Sequence, residues 1–187
     1  PGFVSALAES SDGALYCGGS YPPYAARWDG ANWQSLGVLP ASVSEVSALA
    51  ALPNGELVAG FRWQAGPLVQ RFDGTSWWPL DSSFVPSSPF EGVEVLCLLP
   101  NGDIVVGGYF FAGSIRHIAR WDGTAWHAMG AGLPSAVRDL DLLPNGDLLA
   151  THDSIDDQGQ PVAAPSVWNG STWTVVPGLG AGSGYGA

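Results

Sequence analysis

The groups in this chain able to do chemistry are aromatic rings, carboxylates and guanidinium groups, and most of them recur at fixed intervals. Tyr21, Tyr24, Trp63, Tyr109, Phe110 and Phe111 fall in the stretches that differ most between otherwise similar segments. Flat apolar rings gathered on one surface suit a protein partner or a stacked sugar ring, because they cover area at little entropic cost. Anchoring of their own loops is the competing role. Asp153, Asp156 and Asp157 cluster beside Gln158 and Gly159, a weak calcium candidate. Their spacing departs from the twelve-residue calcium loop of helix-loop-helix proteins and lacks its closing Glu, so the expectation is a solvated acidic loop and no metal. Arg27, Arg71 and Arg120 stand two residues before Asp29, Asp73 and Asp122. On an extended strand each pair projects from one face, and Val167 with Asn169 removes both charges together in the fourth copy, which points to a structural ion pair.

His117, His127 and His152 form no pair at metal-ligand spacing, and no Gly-x-Ser-x-Gly or Cys-His arrangement occurs. Glu94 is a carboxylate on an apolar run with no assignable second acid. The expectation from residue types is no enzyme, no catalytic residue and no cofactor.

The elements that position these groups are four copies of one unit. Turn glycines Gly13, Gly55, Gly102 and Gly146 are 42, 47 and 44 residues apart, and Trp33, Trp77, Trp126 and Trp173 are 44, 49 and 47 apart. Periods near 45 with four short strands each specify β-propeller blades. Asn-Gly and Asp-Gly turns predict two hairpins per unit, the first with a two-residue turn. Blades are expected at about residues 3–38, 45–80, 92–130 and 136–177, followed by a glycine-rich tail at 178–187, in one all-β array. Apolar runs such as Ile104-Val105-Val106 do not alternate with polar residues, so both faces of a sheet need cover. Trp28, Trp33, Trp77, Trp121, Trp126, Trp168 and Trp173 repeat by position and read as blade packing. Trp63 and Trp78 stand outside that pattern and read as exposed contacts. The stretches between the two hairpins all leave the sheet at the same point, so they collect on one rim.

The chain has 187 residues and a formal charge of −11, with arginine as its only strongly basic residue type. Such a surface repels phosphate backbones and anionic lipid, which excludes nucleic acid and membrane-surface binding. No apolar run approaches the roughly 20 residues that span a bilayer, and the start at Pro1 reads as a processed or excerpted soluble segment. Cys17 and Cys97 fall at different strand positions two repeats apart, so buried free thiols are expected.

The glycine doublets Gly18-Gly19 and Gly107-Gly108, followed by an aromatic before a turn and then Trp, resemble kelch-type β-propeller repeats, notably the Arg-Trp-Asp-Gly variety of secreted bacterial surface proteins. The match is strongest in the third copy, from Val93 through Trp121-Asp122-Gly123-Thr124 to Gly130-Ala131-Gly132-Leu133. Gly60-Phe61 and Thr151-His152 depart from the doublet. The resemblance implies a recognition or architectural module in an extracellular setting, often without catalysis. The expectation is a structural, self-assembling or protein-binding propeller that meets a protein, itself or another, through end blades or rim loops. A glycan-binding propeller using the rim aromatics is the alternative. Four units could close into one ring, pair into an eight-bladed ring or stack head to tail.

Overall fold

The computed structural model describes residues 2–39, 45–62, 66–162 and 165–176. Trp63 and the expected glycine-rich tail at 178–187 lie outside the described residues.

Among the described residues all elements are strands. Blade 1 consists of β1 (Val4–Glu9), β2 (Leu15–Gly19), β3 (Ala25–Trp28) and β4 (Trp33–Ser35). Blade 2 holds β5 (Glu45–Ala51), β6 (Leu57–Arg62), β7 (Val69–Phe72) and β8 (Trp77–Pro79), and blade 3 holds β9 (Gly92–Leu98), β10 (Ile104–Ala112), β11 (Ile115–Trp121) and β12 (Trp126–Ala128). β13 (Val137–Leu142), β14 (Leu148–His152), β15 (Ser166–Trp168) and β16 (Trp173–Val175) make blade 4. Each blade is an antiparallel sheet in chain order, and a single bridge between Arg62 and Gly92 links blades 2 and 3.

The first hairpin differs from the expected two-residue turn. The Leu52 amide donates to the Glu56 carbonyl at 2.8 Å and the Gly55 amide to the Leu52 carbonyl at 3.0 Å, closing a loop of Pro53, Asn54 and Gly55 in which only Gly55 takes positive φ, at 87°. A primed two-residue turn needs positive φ at both central positions, whereas a three-residue loop needs it only at its last residue, where glycine is the low-strain choice. The Asn54 side chain accepts the Glu56 amide at 3.1 Å instead. In the second hairpin the expected Arg–Asp pair is replaced. Asp29 Oδ1 accepts the Ala31 and Asn32 amides at 2.8 and 2.7 Å, and Asn169 Oδ1 does the same for Ser171 and Thr172 at 3.0 Å. An amide oxygen caps this turn as well as a carboxylate does, which accounts for Asn169. The arginines pair across strands, Arg71 with Glu56 at 3.0 Å and Arg120 with Asp103.

Blades pack face to face. Ala6, Ala8, Tyr16 and Ala25 of blade 1 meet Val46, Leu49, Leu57, Phe61 and Trp77 of blade 2. Ala48, Val58 and Val69 meet Val93, Ile104, Val106 and Trp121, and Val105 and Ile118 meet Val137, Leu140 and Leu148. The close approach depends on glycine: a Cβ at Gly18, Gly60 or Gly107 would lie 2.4, 2.4 or 2.5 Å from Cγ1 of Val46, Val93 or Val137 of the next blade. Trp77 Nε1 donates to the Leu36 carbonyl at 2.9 Å and Trp173 Nε1 to the Met129 carbonyl at 3.0 Å, pinning each blade to the one before it. Trp126 departs from this pattern. Phe84 stacks on its ring at 4.5 Å, and its Nε1 has no partner.

The inner strands touch in the order β1 to β5, β5 to β9 and β9 to β13, with no comparable contact between β13 and β1. Among the described residues the array is an open arc, without closure of the four blades into one ring. This corrects the burial expected for Trp33. It is 47% exposed, whereas Trp77 is 9% exposed, because blade 1 has no neighbour on its outward side. Both cysteines are free as expected, but each is only half-buried.

Candidate functional site

The connections from second to third strand all leave the same end of the blades, and the first residues of the inner strands join them there. Inner-strand polar groups form a chain along this end. Ser5 donates to Glu45 at 2.5 Å, Glu45 lies 3.7 Å from Arg62, and Arg62 contacts Glu94. Glu94 lies 3.8 Å from Arg138, which forks onto Asp153 with bonds of 2.8 and 2.7 Å. Arg138 holds the Asp153 carboxyl below the ordinary carboxylate range. Glu45 is fully buried, and its Oε2 has no partner.

Tyr109, Phe110 and Phe111, expected in a loop, belong to the extended strand β10, which turns through Gly113 and Ser114 into β11. Side chains alternate along a strand, so Phe110 points inward. It is fully buried against Phe84, with centroids 5.2 Å apart, and is therefore a core residue rather than a binding candidate. Tyr109 and Phe111 share the other face, edge to face at 5.4 Å. Both enclose His117, Tyr109 stacked at 5.6 Å and Phe111 on edge at 4.7 Å. Tyr109 remains 37% exposed. In blade 1, Tyr21 is 68% exposed, while Tyr24, at φ 59°, is half-buried against the core between blades 1 and 2.

The three aspartates of the weak calcium candidate are each engaged with a different partner. Asp153 holds Arg138, Asp156 accepts the Gln158 and Gln160 amides at 2.9 and 2.7 Å, and Asp157 lies 3.1 Å from His117 Nε2. Trp78 is exposed as read, its Nε1 bonded to Asp73 at 2.9 Å. Thr75's hydroxyl, two backbone amides and Trp78 hold the Asp73 carboxyl well below the usual range.

Residue types alone do not pick out His117 or Glu91. His117 is fully buried at φ 62°, its Nδ1 has no partner, and burial pushes its pKa down despite Asp157. Glu91, also fully buried, contacts the Ser87 hydroxyl and accepts the Phe111 amide at 3.2 Å. The pair His117–Asp157 joins the blade 3 hairpin to the 153–162 loop of blade 4, and Glu91 fixes that hairpin from below. The rings are thus presented by a braced platform. The sequence signal is a His between Arg116 and Ile118 on a strand, which fits an ordinary core position equally well.

No family model matches the chain, and no curated protein matches it. Solved structures do. A catalytically inactive virginiamycin B lyase from Staphylococcus aureus, solved with quinupristin, superposes with a TM-score of 0.68 at 15% identity, over 94% of this chain and 56% of that one. The extracellular domain of the putative one-component system BT4673 from B. thetaiotaomicron gives 0.64 at 15% identity, over 92% of this chain and 22% of that one. YCF48 bound to D1 peptide gives 0.54 at 18% identity, over 92% and 53%. The fold is a β-propeller fold. The kelch-type assignment is not separately supported, since these neighbours share only the coarser architecture. The chain spans little more than half the lyase's length and less of the others. The lyase also corrects the expectation that this chain is no enzyme, because a propeller of this shape carries catalysis. Fold alone does not fix function, so a missing contiguous motif excludes no activity.

Proposed function

We propose that this chain is a β-propeller module that binds a protein partner, as an extended peptide segment, across its loop face. The observation that carries this is the platform of Tyr109 and Phe111, held from behind by His117–Asp157 and Glu91, with Tyr21 exposed at the same end of blade 1. Exposed aromatic rings that are already rigid lose little entropy on binding, and a neighbouring run of Glu and Arg supplies polar anchors. The neighbour bound to D1 peptide supports the reading by fold. An extracellular setting belongs to it, supported by the neighbour that is an extracellular domain. Peptides selected from a random display library against the whole chain test the proposal. Tyr109→Ala and Tyr21→Ala should each weaken selected peptides about tenfold, the loss of roughly 1.4 kcal/mol, while Asn54→Ala at the opposite end leaves them unchanged. Binding insensitive to both tyrosines, or selection of no peptide at all, contradicts it.

A further inference from the structure

Blade 1 carries on its outward side the same face that blades 2 to 4 bury. Leu7, Leu15 and Trp33 are 71%, 44% and 47% exposed, whereas Leu49, Leu57 and Trp77 at the equivalent places of blade 2 are 9%, 1% and 9% exposed. Val4 repeats the difference: it is 62% exposed, while Val46, Val93 and Val137 are fully buried, each pressed against a glycine of the preceding blade. A contiguous apolar face of this kind marks an interaction surface.

The outward side of blade 4 is built in the opposite sense. Cross-strand register aligns Asp139 with Ala6, Ala48 and Val95, and Asp141 with Ala8, Ala50 and Cys97. The place of Gly18, Gly60 and Gly107 is taken by Thr151, paired with Asp139. Asp139, Asp141 and Thr151 are exposed. Terminal repeats of stacked arrays carry such polar outer faces. Blade 4 has neither the glycine hollow for a valine nor an apolar inner strand, so a second copy's blade 4 cannot seat on Leu7 without burying two carboxylates. Two blade 1 faces set against each other would likewise supply no glycine for Val4.

We propose that the outward face of blade 1 is a docking face for one further four-stranded blade of this repeat, and that stacking proceeds from blade 1 only. The occupant continues an interface already repeated three times along the chain. Its chemistry is therefore specified: a second-strand glycine opposite Val4, small aliphatic residues along its inner strand, and a carbonyl after its fourth strand to accept Trp33 Nε1. This inference is separate from the loop-face reading and survives its failure.

The test supplies a further blade. Residues 92–136, which carry Gly107 and lead directly into Val137, are duplicated and joined ahead of Val4 in the full chain, and amide exchange is followed in β1 and β2. Exchange should slow at least tenfold in both strands. The same fusion with Gly107→Val in the copied blade should leave them as in the parent. Equal exchange in the parent and both fusions overturns the proposal. So does a parent chain that is a discrete dimer by light scattering with β1 already protected, which would make a second copy the occupant. As an independent measurement, Leu7→Asp should shift the parent's urea midpoint little, while Leu49→Asp abolishes the folded state. A Leu7→Asp loss as large as that of Leu49→Asp overturns the proposal, because the face would then already be covered.

Discussion

Replacing Gly107 by Ala adds one methyl where the fold has no space for it. The new Cβ would lie 2.5 Å from Val137 Cγ1, 2.9 Å from Val137 Cβ and 3.0 Å from Val95 Cγ1. Carbon atoms prefer about 3.5 to 4.0 Å, so blades 3 and 4 must separate by roughly 1 Å along this line. Overpacking of this sort costs about 1 to 3 kcal/mol. Against it stands a gain of about 0.4 to 1 kcal/mol from restricting the unfolded chain, since Gly107 is not at positive φ. The net loss reaches at most about 2.6 kcal/mol, which for a domain of this size lowers Tm by up to roughly 10 °C. Calorimetry on Gly107→Ala, Val137→Ala and the double variant separates the contact from the rest. The double variant should be more stable than the sum of the two losses predicts, because the shortened Val137 makes room for the methyl. Thr151→Ala, at the same place in blade 4, should change Tm by less than about 2 °C, as surface substitutions do. A Gly107→Ala chain more stable than the parent, or a double variant no more stable than the sum of the two losses predicts, refutes glycine as the element that sets blade spacing.

Trp77→Phe strands the Leu36 carbonyl and should cost about 1 to 3 kcal/mol more in urea unfolding than Trp126→Phe, whose Nε1 has no partner to lose. His117 is held neutral by burial, so its folded pKa lies below the ordinary value near 6.5 and the unfolded chain binds the extra proton. The stability it contributes is therefore complete above about pH 6.5 and lost as pH falls below it. Urea midpoints between pH 7 and 5 should fall less steeply in His117→Gln than in the parent, and equal slopes would contradict the neutral assignment.

The architecture was legible because blades are local: turn glycines, strand lengths and the Trp of each second hairpin lie within one period. Position in the array was less legible. Trp33 and Trp77 occupy the same place in their units, yet one is exposed and the other buried, since burial depends on the neighbouring blade. Asp139, Asp141 and Thr151 carry that information, as breaks from the repeat at places that meet the next blade in the other copies. The carboxylate each arginine takes was not legible, because two-residue spacing places Arg71 and Asp73 on one face but says nothing of Glu56 across the sheet. The candidate site was half visible. Its aromatics stood out, but Phe110 turned inward once β10 proved longer than the repeat implied, and the bracing by His117, Asp157 and Glu91 joins residues 20 to 40 positions apart.

The two cysteines report directly on the open end. Cys17 lies on the outward face of blade 1, on the side of Leu7, and Cys97 on the side of blade 3 that meets blade 4, packed against its core. Burial raises the pKa of both thiols, and Asp141 raises that of Cys97 further, so chemistry and access act in the same direction. Labelling of the native chain with a maleimide, followed by peptide mass spectrometry, should modify Cys17 at least ten times faster than Cys97. Equal rates, or a faster Cys97, would contradict an arc that is closed between blades 3 and 4 and open at blade 1.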